Sequence, residues 1–195
     1  MMKLVAGLGN PGRKYESTRH NAGFWWAERL ARQTRASFRS EARFHGRLAK
    51  IEPPHGEAWL LLPETFMNHS GQSVSSLVSY FKLPLESVLI VHDELDLPAG
   101  TVRLKKGGGT GGHNGVSDVA AHLGSKDFWR LRIGIGHPGP GMRDEVLDYV
   151  LQPPRTEERD LIESAIDRSL ELWALIAEAK MEAAMLKLHT KKATE

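Results

Sequence analysis

A three-layer α/β/α fold is what this sequence predicts, a single domain over residues 1–195 with a mixed, mostly parallel central sheet flanked by helices. Three observations carry that expectation. Short β-rich runs alternate along the chain with segments of helical period. The run Val88–His92 is apolar without a break through Val91, as in a strand covered on both faces. Polar clusters follow the ends of predicted strands, where ligand groups gather in open sheets of this type: Asn10 follows the first run and Asp93 follows Val88–His92.

The elements follow in order. Lys3–Leu8 reads as a buried strand ending in the turn Gly9-Asn10-Pro11-Gly12. Asn21–Thr34 reads as a helix with Ala22, Trp25, Trp26 and Leu30 on one face and Arg29 and Arg32 outside. Gly46–Ile51 and Trp59–Leu62 read as strands around a Pro-rich turn. Ser70 is placed to cap a helix to about Phe81, with Val74, Leu77, Val78 and Phe81 at helical spacing. Val102–Lys105 is a further strand, followed by the glycine-rich run Gly107–Gly115. Asn114 is expected to cap a helix over Gly115–Leu123. Trp129–Ile135 alternates as a strand does, and Arg143–Leu151 is a short helix stopped by Pro153-Pro154. From about 156 to 189 the pattern is helical, in one piece or two. An apolar stripe of Leu161, Ala165, Ile166, Leu170, Trp173 and Ile176 is expected to pack on the domain's own sheet.

Composition removes several chemistries. There is no cysteine, so disulfides, thiolate nucleophiles and Cys-ligated zinc are excluded. No stretch approaches the roughly 18 apolar residues of a membrane span, and the N-terminus lacks a signal-peptide pattern, so a cytoplasmic protein with no membrane partner is expected. The net charge of +2 hides a strong asymmetry: residues 1–50 carry eleven Lys and Arg against three acids. The basic run from Arg29 to Lys50 can meet nucleic-acid phosphates or can be a solvated helix face and loop.

Gly7, Gly9 and Gly12 satisfy G-x-G-x-x-G, yet Pro11 and the polar stretch after it delay the helix that a dinucleotide fingerprint must enter directly. A turn that aims Asn10 accounts for these residues better. The glycines of 107–115 lack G-K-[ST], which argues against a Walker-type NTPase. They suit close backbone approach to a ligand. His20 begins a helix after a polar loop, and Asp93 at a strand end can fix its tautomer. With no thiol and no G-x-S-x-G serine, the nucleophile of such a pair is water. Asn10, Asn68 and Asn114 offer both donor and acceptor groups to an amide and an ester. A competing use of His20, Asp93 and His113 is a metal-dependent hydrolase site, without a recognisable ligand spacing to support it.

Taken together, G-L-G-N-P-G-x-x-Y-x-x-T-R-H-N (7–21), P-x-T-F-M-N-x-S-G (63–71), D-E-L-D-L-P (93–98), K-x-G-G-G-x-G-G-H-N-G (105–115) and R-L-R-I-G-I-G-H-P (130–138) resemble bacterial-type peptidyl-tRNA hydrolase. The resemblance runs from Leu4 to about Leu151. It implies cleavage of the ester between a peptide and the 3′ ribose of tRNA, recycling tRNA after premature release from the ribosome, without metal or cofactor and as a monomer. It also implies His20 as the base and Asp93 as its orienter. Asn10, Asn68 and Asn114 would bind the peptide main chain and the 3′ end. Tyr15, Phe66 and Met67 would line the cleft, and Lys105 and Arg132 would grip tRNA phosphate. Departures from the pattern, Glu64 and Lys106, fall outside that chemistry. A non-catalytic tRNA-binding protein is the remaining alternative, although no RNA-recognition motif is present.

Overall fold

The computed structural model describes residues 1–190. Seven strands form one sheet in the order β2-β3-β4-β1-β5-β7-β6. They are β1 (Leu4–Gly7), β2 (Arg39–Glu41), β3 (Gly46–Ile51), β4 (Ala58–Pro63), β5 (Val88–Glu94), β6 (Val102–Lys106) and β7 (Trp129–Gly134). The four central strands β4, β1, β5 and β7 run parallel. Both edges are closed by antiparallel pairing, β2 and β3 on one side and β6 on the other. The parallel character expected from composition therefore belongs to the middle of the sheet.

Period-two alternation builds the three layers. Val5, Leu60, Leu62, Leu89 and Val91 point to one face, where they meet α1 (Ala22–Thr34), α5 (Thr156–Leu170), α6 (Trp173–Ala177) and α7 (Met181–His189). Leu4, Ala6, Leu61, Val88 and Ile90 point to the other, under α2 (Ser70–Tyr80) and α3 (Asn114–Leu123). Trp26 is fully buried on the first face and donates its indole N–H to Ser169 Oγ at 2.8 Å. That bond satisfies the one polar atom of a large core side chain and ties α1 to α5.

Gly23 sets how closely α1 approaches the sheet. A methyl there would lie 2.6 Å from the backbone N and O of Leu8. The helix thus rests directly on the end of β1, and the turn before it, Arg19–Asn21, is delivered to the end of β5.

Several local expectations change. Residues 39–41, inside the basic run, form the edge strand β2 rather than helix or loop. Ser70 is the first helical residue rather than a cap; its hydroxyl donates back to the Met67 carbonyl at 2.7 Å. The C-terminal pattern is three helices, broken at 171–172 and at 178–180, and it packs on the chain's own core as expected. Leu161 of the expected stripe is 52 % exposed, and Ile162 takes its place inside. The stripe rotates because the helix axis, and not the sequence period alone, decides which residue meets the sheet.

Candidate active site

Asp93 stands at the carboxyl end of β5, buried at 2 % exposure. Two imidazoles converge on it. His20 Nδ1 lies 3.0 and 2.9 Å from its two oxygens, and His113 Nε2 lies 2.8 Å from Oδ1. The tautomer of His113 follows from its other bond: Nδ1 accepts the Val116 backbone N–H at 3.2 Å, so Nε2 carries the proton and donates to Asp93. His113 is thereby the cap of α3, the role expected of Asn114, which is the first helical residue and exposed. Freed from capping, the Asn114 amide is available to the cleft.

The electrostatics match this geometry. Burial alone would raise the pKa of Asp93; His20 and His113 beside it outweigh that and hold the carboxyl well below the usual carboxylate range. Burial of His20 disfavours its charged form, but attraction and hydrogen bonding to Asp93 prevail and raise its pKa above 6.5. His92, on the same strand, is pushed well below 6.5 by burial and then by His113. It stays neutral, donates Nδ1–H to the Asp93 carbonyl at 2.8 Å, and packs edge-on to the His113 ring.

With Nδ1–H committed to Asp93, His20 presents Nε2 to a cleft of about 200 Å³. The cleft is walled by Asn114, by Gly111 and Gly112, and by the apolar Leu95, Val146, Leu147 and Val150. Gly111 and Gly112 take φ of 62° and 76°, the left-handed region that a side chain resists. Their backbone therefore approaches the cleft without a Cβ in the way.

Asn10 is positioned by Asn21, which sequence reasoning passed over, and by the Met67 backbone. Its backbone N–H donates to Asn21 Oδ1 at 2.8 Å, and Asn21 Nδ2 donates to its carbonyl at 2.9 Å. Its Oδ1 accepts the Met67 N–H at 2.7 Å. The Asn10 amide Nδ2 is then the group left for a substrate, as a donor. Asn10 lines a neighbouring groove of about 610 Å³, together with Glu64, which had been expected to stand clear of the chemistry. Met67 is buried with its sulfur against Gly115, bridging the Asn10 loop to α3, and Asn68 beside it is exposed. Tyr15 and Phe66 meet edge to face at 6.4 Å; Phe66 is 57 % exposed. Of the expected site residues, His20, Asp93 and Asn114 thus surround one cleft and Asn10 lines the next groove, while Tyr15, Phe66, Met67 and Asn68 line neither.

On β6 and β7 the apolar members Val102, Leu104, Leu131 and Ile133 face the core beneath α5 and α7. Alternation puts Arg103, Lys105, Arg130 and Arg132 together on the opposite face. Arg132 pairs with Glu94 at 2.7 Å, while Lys105 forms no ion pair among the described residues. Arg130 is buried and donates to the carbonyls of Gly107 and Gly109 at 3.1 and 2.7 Å, anchoring the glycine loop. Arg19 does the same for the His20 turn, reaching Tyr149 O at 2.9 Å and Glu158 at 3.0 Å. Their presence in the motifs was the only signal; what they hold lies far away in sequence.

The ligand atoms of His20, Asp93 and His113 lie within 4.8 Å of one another, close enough to suggest a metal centre. The contacts are hydrogen bonds instead. Nitrogens and oxygens sharing a tetrahedral ion sit about 3.3 Å apart with their lone pairs turned to it. Here His113 Nε2 is 2.8 Å from the carboxylate and must carry a proton.

An imidazole held by a buried carboxylate, at the carboxyl ends of parallel strands and beside side-chain amides, has the make-up of a hydrolytic site. The comparisons agree. The peptidyl-tRNA hydrolase family matches residues 4–195. A peptidyl-tRNA hydrolase of Nitrosospira multiformis is 56% identical over 191 residues, covering 98% of this chain and 99% of that relative. One from Nitrosomonas europaea is 54% identical, covering 98% and 97%. The crystal structure of peptidyl-tRNA hydrolase from Acinetobacter baumannii superposes with a TM-score of 0.94 at 42% identity, covering 98% of this chain and 96% of that one. This chain belongs to the peptidyl-tRNA hydrolase family.

Proposed function

We propose that the protein hydrolyses the ester between a peptide, or an N-blocked aminoacyl group, and the 3′ ribose of tRNA. The observation that carries this is the His20–Asp93 pair with Nε2 open to the cleft. His20 Nε2 takes a proton from water as the water oxygen bonds to the ester carbonyl carbon. Asp93 stabilises the imidazolium that forms. Asn114 or Asn68, whose side-chain amides make no hydrogen bond among the described residues, donates to the oxyanion, an interaction worth about 3 kcal/mol in other enzymes. As the ester C–O bond breaks, the imidazolium returns its proton to the ribose oxygen, leaving free tRNA and a free carboxylic acid. Asn10 Nδ2 holds a peptide carbonyl, and the apolar pair Tyr15 and Phe66 and the Met67 side chain border the substrate. The whole chain acts as one catalytic domain, a cytoplasmic monomer by resemblance to its family. No helix among the described residues is long and apolar enough to cross a membrane.

The test is release of free tRNA from an N-acetylated aminoacyl-tRNA by the purified protein in the presence of a chelator. Loss of turnover on chelation would favour the metal reading of the same three side chains. Tight tRNA binding without cleavage would favour a non-catalytic binder.

The direction of the His20 shift sets the pH profile. The base must be neutral, and Asp93 makes the imidazole easier to protonate. The rate is therefore expected to fall on acidification, with the midpoint of the acid limb of kcat/KM above 6.5. A midpoint below that value would contradict an ionised Asp93 at the ring.

Lys105 and Arg132 share the basic face of β6 and β7 and are assigned to tRNA phosphate. Substituting Lys105 by Met is expected to raise KM and to flatten the dependence of log KM on log salt by about one unit, as for one lost phosphate contact. A slope equal to that of the unaltered protein would remove the assignment.

A further inference from the structure

The basic run Arg29–Lys50 finds no use in the reaction above, yet part of it lines a second surface at the other edge of the sheet. There a groove of about 530 Å³ runs between the β2–β3 edge and the end of α2. Its floor is aromatic. Phe81 stacks on Trp59 with ring centroids 5.3 Å apart, and Tyr80 meets Phe81 edge-on at 4.9 Å. Tyr80 and Phe81 are 55% and 37% exposed, unusual for rings that have a core at hand. Four cations rim these rings: Arg35, Arg39, Arg43 and Lys50. The first three are exposed and make no ion pair among the described residues, while Lys50 reaches Glu52 at 3.7 Å. The carboxylates in the groove are Glu41 and Glu52, so positive charge prevails.

We propose that this groove is a second RNA-binding site, separate from the ester cleft, that takes unpaired nucleotides. Phosphate neutralisation beside exposed ring faces is the chemistry of single-strand binding, because every base offers a π-face and stacking needs no particular sequence. A duplex keeps its bases stacked on one another and cannot use the rings. An acidic protein surface would satisfy the arginines and leave the rings without a flat partner. The aromatic floor of the groove lies away from the 3′ end held in the cleft. Lys50 and Trp59 lie opposite each other near the ends of β3 and β4 remote from Pro63, whose end leads to Met67 and Asn68, while Glu41 and Arg43 carry the outer rim of the groove toward the Pro63 end. Across the sheet, β2 is four strand spacings from β5, which carries Asp93, about 19 Å. The RNA taken here is another segment or another molecule.

The groove is tested by fluorescence anisotropy of the full chain with a labelled, 3′-phosphorylated decauridylate over a range of salt concentrations, beside a duplex of equal length. Binding of the single strand is expected to exceed that of the duplex. The double substitution Arg39→Gln with Arg43→Gln is expected to reduce the salt slope by about 1.4, near 0.7 for each lost contact. Tyr80→Ala is expected to weaken binding at least about fivefold with the slope unchanged. Thermal melts of the same samples report folding, and their rate of ester hydrolysis at saturating substrate is expected to match the unaltered protein. Single-strand affinity equal in all three proteins overturns the proposal, as does a duplex bound as tightly as the single strand. A variant that lowers the melting temperature without weakening RNA binding also overturns it, assigning the cations to covering the rings, as Arg43 covers Tyr80 at 4.9 Å.

Discussion

Replacing His20 with alanine is expected to lower the rate of tRNA release from an N-acetylated aminoacyl-tRNA by about 10²- to 10⁴-fold, the usual contribution of a positioned general base. The assignment of the base predicts this, because no other neutral imidazole nitrogen is available to the cleft. His113 spends Nδ1 on Val116 and Nε2 on Asp93, and His92 lies fully buried behind it. The fold should persist. Asp93 loses one of two imidazole donors, and a buried polar group short of one partner costs about 1–3 kcal/mol. In a domain of this size that corresponds to a fall in melting temperature of roughly 2–4 °C per kcal/mol. Single-turnover kinetics and a thermal melt on one sample separate the two effects. Near-normal turnover in a folded His20→Ala protein would eliminate the base.

Asp93→Asn is expected to cost a comparable 10²- to 10⁴-fold, for a different reason. The carboxylate accepts N–H from His20 and from His113 at once. An asparagine offers one accepting oxygen and one NH₂. If the oxygen stays with His113, whose tautomer is locked by Val116, the NH₂ faces His20 Nδ1. His20 then turns Nδ1 into an acceptor and carries its proton on Nε2, toward the water it should deprotonate. Activity falls although every residue of the cleft is in place. The pH profile separates this from simple unfolding. Asp93 is what raises the His20 pKa against burial, so its neutral replacement is expected to move the acid limb of the residual activity below 6.5. A residual activity whose midpoint stays where it was would show that the carboxylate does not act through the ring.

His20 and Asp93 were legible because each stands at a boundary between a predicted element and a polar loop, and such boundaries collect at one end of a parallel sheet. The second histidine on Asp93 was not. His113 was weighed only as a metal ligand, since nothing in G-G-H-N-G says that its ring caps α3 with one nitrogen and reaches β5 with the other. Asn21 and Arg130 were missed for the same cause. Their partners, Asn10 and the carbonyls of Gly107 and Gly109, lie eleven and more than twenty residues away.

What the chain determines by itself is local: an unbroken apolar run that makes the strand at Val88–Glu94 covered on both faces, a helical period that buries Trp26, glycines where the backbone must turn left-handed, and one end of the sheet stocked with amides, a carboxylate and an imidazole. Side-chain period and backbone sterics act over a few residues, so these features can be read in order along the chain. Tertiary structure alone decided which histidine nitrogens are engaged, which atom of the Asn10 side-chain amide is already bonded, and which arginines hold loops in place. Hydrogen bonds reach about 3 Å and join whatever the fold brings that close, and sequence distance carries no record of that meeting.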